Sequence, residues 1–244
     1  MRSKSWALIG ALLLLGGCGA QQAAAPVAAH PHPDFSGIWK IAKPVQQLLS
    51  TGGSVPPLLP EALKAYEQRR LAQQRGDTSF DTSFQCKPLG EPRSLYEQGW
   101  PFEILQSDDS VIFAYQANRM TRVVPFAASR GKLTGPWWYG DGIASWDGDA
   151  LLIDVVDLKA QTLLDATGLP HSDNLHLTER FTLESDGRQL RVLLHFEDPT
   201  LYAAPWDAEL VMQRQPDNAI SEDVCIDRLG VKNYATLPPE AYPK

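Results

Sequence analysis

Residues suited to acid–base chemistry are concentrated in one stretch of the chain, at His171, His176, Glu179 and Arg180, with Asp165 shortly before them. A histidine changes its charge near neutral pH, an arginine holds an anion through two hydrogen bonds, and a carboxylate can orient a histidine. If His171 lies on a loop at the mouth of a barrel pocket, and if His176 and Arg180 point into the barrel, the three side chains can line one pocket. The set predicts a cofactor-free lyase, isomerase or hydrolase for a small aromatic substrate, with Glu179 or Asp165 in support.

The same polar residues also fit a purely structural interpretation. In it, Glu179 and Arg180 belong to a row of cross-strand ion pairs, His171 caps a turn and His176 bonds to a backbone carbonyl. A zinc site would need a third ligand beside the histidines, and Glu179 points to the opposite side of a regular strand. We predict no metal, and we predict no cofactor because the chain lacks the motifs of serine hydrolases, zincins and nucleotide-binding enzymes.

A second group of side chains suits binding rather than catalysis. Trp137, Trp138 and Tyr139 follow Gly135-Pro136 directly and predict an aromatic lid over an apolar ligand. The other predicted ligand-binding residues are Trp146, Tyr202, Trp206 and Arg119. These residues also fit structural alternatives. The three lid residues equally suit a plug of the core. Tyr202 and Trp206 suit a loop packed across a barrel end, and Arg119 suits a surface position.

Short apolar runs separated by polar turns predict about nine β-strands to position these residues. They include the run at Trp39 and the segments 102–106, 111–115, 120–126, 143–146, 150–156, 175–183, 189–196 and 208–213. Asp147-Gly148-Asp149 and Asp186-Gly187 mark hairpin turns. Residues 60–74 predict one helix, which begins with Pro60 and Glu61 and is followed by Gly76.

Consecutive hairpins with almost no helix between them predict an all-β, minor-α fold: an antiparallel meander preceded by an N-terminal helix. A meander of this length must close as a barrel or split into a sandwich, because open edges would pair with other chains. Residues 34–244 are predicted to form this single domain.

The N-terminus predicts export and lipidation. Arg2 and Lys4 precede an uncharged apolar run, which ends at Leu15-Gly16-Gly17-Cys18. The run is roughly half the length of about 20 residues that a spanning helix needs, so residues 1–17 predict a signal peptide. Cys18 resembles the lipidated cysteine of bacterial lipoproteins, and Gly19 implies sorting to the outer membrane, facing the periplasm. Residues 18–33, rich in Ala, Gln and Pro, predict a flexible tether.

Charge and cysteine content narrow the possible functions further. The net charge of −7 and the isoelectric point near 5.2 argue against a nucleic-acid partner. Beyond Cys18 only Cys86 and Cys225 remain, and two cysteines in an oxidising compartment predict a disulfide. We predict a monomer whose partners are a small ligand and the membrane that holds its lipid.

Gly37-Ile38-Trp39 at the first strand resembles the G-x-W signature of lipocalins. In that family the tryptophan closes one end of the barrel, and an arginine from a late strand packs on it. The resemblance implies that the predicted barrel is lipocalin-like and that Arg214 has this role here.

A second resemblance covers residues 34 to 225. Five segments of the chain are similar to motifs of an uncharacterised family of exported bacterial proteins. They are Trp146-Asp147-Gly148-Asp149-x-Leu151, Gly168-x-Pro170-His171-Ser172-x-x-Leu175-His176-x-x-Glu179-Arg180, Asp198-Pro199-x-x-Tyr202-x-x-Pro205-Trp206, Cys86-x-Pro88-x-Gly90-x-Pro92-Arg93 and Pro101-Phe102-Glu103-Ile104. The chain departs from that family at Ser145, where a histidine is common, and at residues 125–138, which replace a charged segment. The resemblance implies no established activity.

Three hypotheses follow from the sequence. The first is a tethered periplasmic lipoprotein that binds a small apolar or aromatic molecule in a barrel pocket. The second is the acid–base enzyme, and the third is an envelope lipoprotein that binds a partner protein through its exposed faces.

Overall fold

Nine strands in the part of the chain that the structure describes lie in one antiparallel sheet. The computed structural model describes residues 31–131, 134–184 and 186–228, so the predicted signal peptide, Cys18 and most of the predicted tether lie outside the described residues. The strands are β1 (Gly37–Ile41), β2 (Phe102–Gln106), β3 (Ser110–Tyr115), β4 (Thr121–Pro125), β5 (Asp141–Asp147), β6 (Ala150–Val156), β7 (His176–Glu184), β8 (Gln189–Glu197) and β9 (Trp206–Arg214). Their order in the sheet is β4-β3-β2-β1-β9-β8-β7-β6-β5.

The sheet curls into a nearly closed barrel, as the sequence predicted. Its strands are antiparallel at every pairing, and their number is odd, so the two outermost strands, β4 and β5, must run in the same direction. They meet through one isolated parallel bridge, between Phe126 and Ala144. The seam between β4 and β5 is therefore the place where the backbone ladder of the barrel is weakest.

Tight hairpin turns and an aromatic plug close one end of the barrel. Arg214 packs on the fully buried Trp39, with its guanidinium carbon 4.3 Å from the ring centroid, which confirms the contact expected from the lipocalin resemblance. Trp39 Nε1 donates to the carbonyl of Phe35 at 2.9 Å. Trp146 lies between Phe35 and His32, and its ring stacks on the imidazole at 4.2 Å.

Longer segments and helix α1 (Pro60–Gln74) cover the other end. The helix bounds agree with the prediction, and the helix buries Ala62 and Tyr66, whereas Leu63 is exposed. Tyr66 Oη bonds to Thr167 at 2.7 Å, and Gln73 Nε2 donates to a neighbouring backbone carbonyl, that of Ala166, at 2.6 Å. The helix thus holds the loop that follows β6 against the barrel.

A disulfide and an apolar core complete the described part of the fold. Cys86 and Cys225 form the predicted disulfide, which ties a short helix, α2 (Cys225–Arg228), to the segment before β2. Large apolar and aromatic side chains fill the barrel interior. In the described part of the chain, no helix is long and apolar enough to cross a membrane.

Candidate functional site

A groove with a volume of about 600 Å³ lies along the seam between β4 and β5. This volume is within the range of about 300–1,000 Å³ typical of small-molecule sites. The groove is lined by residues of both strand edges and of the segment that connects them: Met120, Thr121, Arg122, Val123, Pro125, Ala127, Ser129, Gly131, Trp137, Trp138, Tyr139, Gly140, Asp141, Gly142 and Ile143.

The groove opens on the outside of the barrel. Thr121, Val123 and Pro125 line it, and these are the exposed positions of β4, whereas the alternating Arg122 and Val124 are buried. The connecting segment must return from the end of β4 to the start of the parallel β5, so it runs back along the seam. The groove therefore lies between two strand edges and the connection that spans them.

The predicted aromatic lid lines one side of the groove. The backbone of Trp137 holds it in place: its N–H donates to Asp157 O at 2.8 Å, and its carbonyl accepts from Lys159 N at 2.8 Å. The Trp137 side chain is 44% exposed, and the ammonium of Lys159 lies 4.7 Å from the ring centroid of Trp138. The structure thus offers apolar ring surface to a ligand on a fixed backbone.

Tyr139 connects this lid to the barrel interior. Its ring stacks on that of Tyr115, with centroids 5.6 Å apart and planes 8° apart. Burial raises the pKa of the Tyr139 hydroxyl, opposed by a hydrogen bond with Ser94. The hydroxyl therefore stays protonated at neutral pH and can act as a donor.

A buried charge cluster lies beneath the seam. Arg122 Nη1 donates to Glu179 Oε2 at 2.8 Å and lies 3.4 Å from Glu91 Oε1, and Tyr115 Oη donates to the same Glu91 oxygen. All four side chains are at most 4% exposed. The cluster therefore joins β4, β7 and the segment before β2 across the interior and braces the seam.

Protonation within this cluster differs from that in water. Burial raises the pKa of Glu91 to about 8, opposed by Arg122 and reinforced by Glu179. Burial likewise raises the pKa of Glu179, although Arg122 opposes the shift. Two carboxyl groups beside one guanidinium cannot both be charged without a net buried negative charge, so we expect Glu91 to be largely protonated at neutral pH.

Three polar atoms of the cluster are buried without a hydrogen-bond partner in the described structure: Arg122 Nη2, Glu91 Oε2 and Glu179 Oε1. Arg122 Nη2 lies on the core side of Gly142, because a Cβ there would be 3.3 Å from this nitrogen and 3.5 Å from atoms of Val124 and Ile153, which are fully buried.

The residues predicted to catalyse acid–base chemistry are not brought together. His171 is buried, and its Nε2 bonds to Thr162 Oγ1 at 2.7 Å. Burial lowers the pKa of His171, opposed by its hydrogen bond with the Ser172 carbonyl. Asp165 is also buried, but it accepts hydrogen bonds from Leu48 N, Thr167 N, Thr167 Oγ1 and Leu169 N, so it organises two loops.

The expected orientation of β7 is wrong. His176 and Arg180 point outward rather than into a pocket, and Glu179 points inward. The reason is alternation: Glu179 shares its face with Leu177 and Phe181, which are buried in the core. The imidazole and guanidinium that were expected to meet His171 therefore lie on the outer surface of the barrel.

Outward-facing partners satisfy both of these side chains. His176 Nε2 bonds to Asp154, and Arg180 Nη1 donates to Asp147 Oδ2 at 2.6 Å. Nearby, His195 bonds to Asp207 at 2.7 Å and to Glu197 at 3.1 Å. Across the residues that the structure describes, no group of three or more His, Cys, Asp or Glu side chains is placed to hold a metal ion.

The remaining predicted ligand-binding residues lie away from the groove. Trp146 belongs to the aromatic plug. Tyr202 Oη donates to Pro170 O at 2.6 Å, and Trp206 stacks on Phe196 with centroids 4.0 Å apart. Arg119 is exposed and pairs with Glu222 at 3.0 Å. These contacts match the structural alternatives for these residues.

Comparison with known proteins assigns no relative. No protein-family model matches this chain, and no curated protein matches it in sequence. The groove and the cluster beneath it must therefore be interpreted from their own geometry.

The buried cluster was not predicted from the sequence. A signal was present, because Arg122 alternates in phase with Val124 and Glu179 with Leu177. One arginine and one glutamate on otherwise apolar strand faces indicate a buried pair. Glu91 lies outside the strands, so no periodicity pointed to it.

Proposed function

We propose that this protein is a tethered periplasmic lipoprotein that binds a small apolar or aromatic molecule in the seam groove. The single observation that carries the proposal is the groove itself, about 600 Å³ in volume and bordered by Trp137, Trp138 and Tyr139. A ring or short hydrocarbon laid against these side chains would bury apolar surface at about 25 cal/mol per Å².

The position of the groove also supports binding at the seam rather than inside the barrel. Lipocalin-like binders hold ligand in the barrel lumen, but here Trp39, Phe102, Phe113 and Phe181 fill it. The seam offers the space that the lumen lacks, because a single backbone bridge joins its two edges among the described residues.

The location of the protein is proposed from its sequence. The apolar run before Cys18 and the uncharged segment after it support a lipid anchor and a tether. The disulfide between Cys86 and Cys225 suits an oxidising compartment such as the periplasm. The anchor would keep the groove near a membrane, where apolar molecules are concentrated.

The acid–base alternative loses its geometric support. It required His171, His176 and Arg180 around one cavity, and the last two lie on the outer surface in ion pairs. The partner-binding alternative gains no specific contact from the structure, so we favour the small-molecule binder.

Fluorescence titration with N-phenyl-1-naphthylamine, a neutral aromatic probe, tests the proposal. We expect saturable binding to the purified protein with one site and a blue-shifted emission. Trp138→Ala should weaken this binding at least tenfold, because it removes part of the apolar wall.

Leu71→Ala is the matched control, since Leu71 is an exposed apolar side chain on α1, away from the groove. It should bind the probe as the unaltered protein does. Unsaturable binding, or equal loss of affinity in the two variants, would contradict the proposal.

A further inference from the structure

One end of the seam groove lies beside the turn between β3 and β4. The groove lining begins at Met120, which directly follows that turn. The aromatic lid lies at the same end, because the ring of Tyr139 stacks on that of Tyr115, the last residue of β3. The exposed ring of Trp137 is therefore close to the β3–β4 turn along the chain and in space.

The same turn holds the last segment of the chain that the structure describes. The backbone N–H of Asn118 donates to Asp223 Oδ2 at 2.6 Å, and Arg119 pairs with Glu222 at 3.0 Å. The disulfide of Cys225 fixes this segment covalently. The described chain ends at residue 228, so residues 229–244 start from a point that is anchored next to the groove.

The composition of residues 229–244 suits an aromatic groove. Prolines and large apolar or aromatic side chains make up half of the segment: Leu229, Val231, Tyr234, Leu237, Pro238, Pro239, Tyr242 and Pro243. Extended proline-rich segments dock in grooves lined by aromatic side chains, and they lose little conformational entropy when they bind. The lid supplies such side chains on a backbone that is held by hydrogen bonds.

The segment is also long enough to span the groove. Pro238 is ten residues beyond residue 228, and ten residues at about 3.1 Å each reach about 31 Å. The five residues of β4 span about 17 Å at roughly 3.3 Å each. The prolines can therefore reach every part of the groove from the anchored end.

We propose that residues 229–244 dock in the seam groove of their own chain, with the prolines against the aromatic lid. This inference rests on the proposed function and adds its regulation, because the segment and the small apolar ligand occupy the same space. A tether this short gives an effective concentration on the order of 1 mM. A segment that binds with a Kd of about 0.1 mM would then fill the groove about nine-tenths of the time and raise the apparent Kd of the ligand about tenfold.

Titration of the full chain with N-phenyl-1-naphthylamine tests this competition. The variant carries Leu237→Ser, Pro238→Ser, Pro239→Ser and Tyr242→Ser, all outside the described barrel. These changes remove the groups that would contact the lid. We expect the variant to bind the probe with a Kd about tenfold lower than that of the unaltered protein.

The matched control changes four polar residues of the same segment, through Lys232→Ser, Asn233→Ser, Thr236→Ser and Glu240→Ser. It keeps the net charge and should leave the Kd of the probe unchanged. An equal Kd in the two variants would overturn the docking of the segment and leave the small-molecule binder intact. An effect that disappears on dilution would also overturn it, because the groove would then take the segment of a second copy.

A synthetic peptide of residues 229–244 tests the contact without the probe. Added to the full-chain variant with the four apolar changes, the labelled peptide should bind saturably, with a Kd of about 0.1 mM by fluorescence anisotropy. Adding Trp137→Ala to that variant should weaken the peptide at least fivefold, whereas adding Leu71→Ala should not. Failure to saturate, or equal weakening by both changes, overturns the inference. If the peptide binds as expected but the probe binds neither protein, the inference stands and the proposed small-molecule function fails.

Discussion

Individual charged residues of this barrel differ in how much they contribute to the free energy of unfolding, depending on whether they point inward or outward. Three charged side chains are buried together: Arg122, Glu91 and Glu179. Their interactions with one another give them protonation states that they would not have in water. Removing one member of a buried pair costs about 3–5 kcal/mol, because the partner is left as an uncompensated charge. The outward pairs, such as Arg180 with Asp147, contribute about 0–1 kcal/mol.

Glu91→Gln should make stability less sensitive to alkaline pH. The pKa of Glu91 is raised to about 8 in the folded protein, above the ordinary value of 4.5. A raised carboxyl pKa stabilises the fold below pH 4.5, and this contribution is lost as pH rises to 8. Because glutamine does not titrate, the unfolding free energy of the variant relative to the unaltered protein should rise by roughly 2–4 kcal/mol between pH 5 and pH 9.

Urea unfolding at both pH values provides the measurement. Glu103→Gln makes the same chemical change at an outward position of β2 and serves as the control. A Glu91→Gln difference that is equal at pH 5 and pH 9 would refute the assignment of a buried, protonated Glu91.

Arg214→Lys should destabilise the plugged end of the barrel. The guanidinium stacks on Trp39, and its Nε donates to Gly187 O at 2.7 Å while Nη1 donates to Ser36 O. An ammonium cannot reproduce the flat stacking and both hydrogen bonds. We expect a loss of about 1–3 kcal/mol in unfolding free energy.

Thermal and urea unfolding of Arg180→Ala provide the comparison, since Arg180 forms an outward ion pair that is partly exposed. That variant should lose less than about 1 kcal/mol. Equal losses in the two variants would show that the stacked arginine does not brace the barrel end.

At the end of the barrel that α1 covers, long connections rather than strands position the polar residues around Asp165. Asp165 accepts four hydrogen bonds from two segments that are far apart in sequence, and α1 holds the same loop through Tyr66 and Gln73. The barrel end that they cover therefore depends on side-chain bonds. The C-terminal segment depends on Cys225, which joins it to Cys86.

Replacing both cysteines, Cys86→Ala with Cys225→Ala, should lower the unfolding free energy by about 5 kcal/mol. The bridge spans 139 residues, and a closed loop of that length strongly restricts the unfolded chain. Urea unfolding of the double variant, and of the unaltered protein with and without reductant, measures the effect. If reductant leaves the unaltered protein equally stable, the bridge does not have this role.

At the scale of the whole molecule, the odd number of strands accounts for the candidate site. Nine antiparallel strands leave β4 and β5 parallel, and a parallel pair needs a long connection where a hairpin would need two residues. That connection carries Trp137, Trp138 and Tyr139 along the seam. Groove and aromatic lid thus arise from the same topological constraint.

Cys18→Ala should remove the proposed membrane anchor. Intact-mass analysis of the unaltered protein is expected to show a chain that begins at Cys18 and carries a diacylglycerol and a further acyl group. Cys86→Ala is the control and should keep the added mass of the acyl groups, because the thiol of Cys86 forms the disulfide. An unmodified N-terminus in the unaltered protein would exclude lipidation.

The strand pattern, helix α1 and the disulfide could be predicted from the sequence, because they follow from local periodicity, from turn residues and from the presence of only two cysteines after Cys18. The packing of Arg214 on Trp39 was implied by the resemblance to lipocalins. Asp186 and Gly187, for example, both adopt the positive φ that their hairpin requires. For the candidate site, the sequence identified the three aromatic lid residues but not what they face.

Which polar groups contact one another depends on the tertiary structure and could not be predicted from the sequence. Sequence placed His176 and Arg180 inward, because a concentrated polar stretch resembles a site, yet the burial of Leu177 and Phe181 turned them outward. Glu91, Arg122 and Glu179 come from a loop and two strands that are not neighbours in the sheet, so no local pattern could join them. Side-chain pairing across a closed barrel depends on its register and closure, and these are properties of the whole chain.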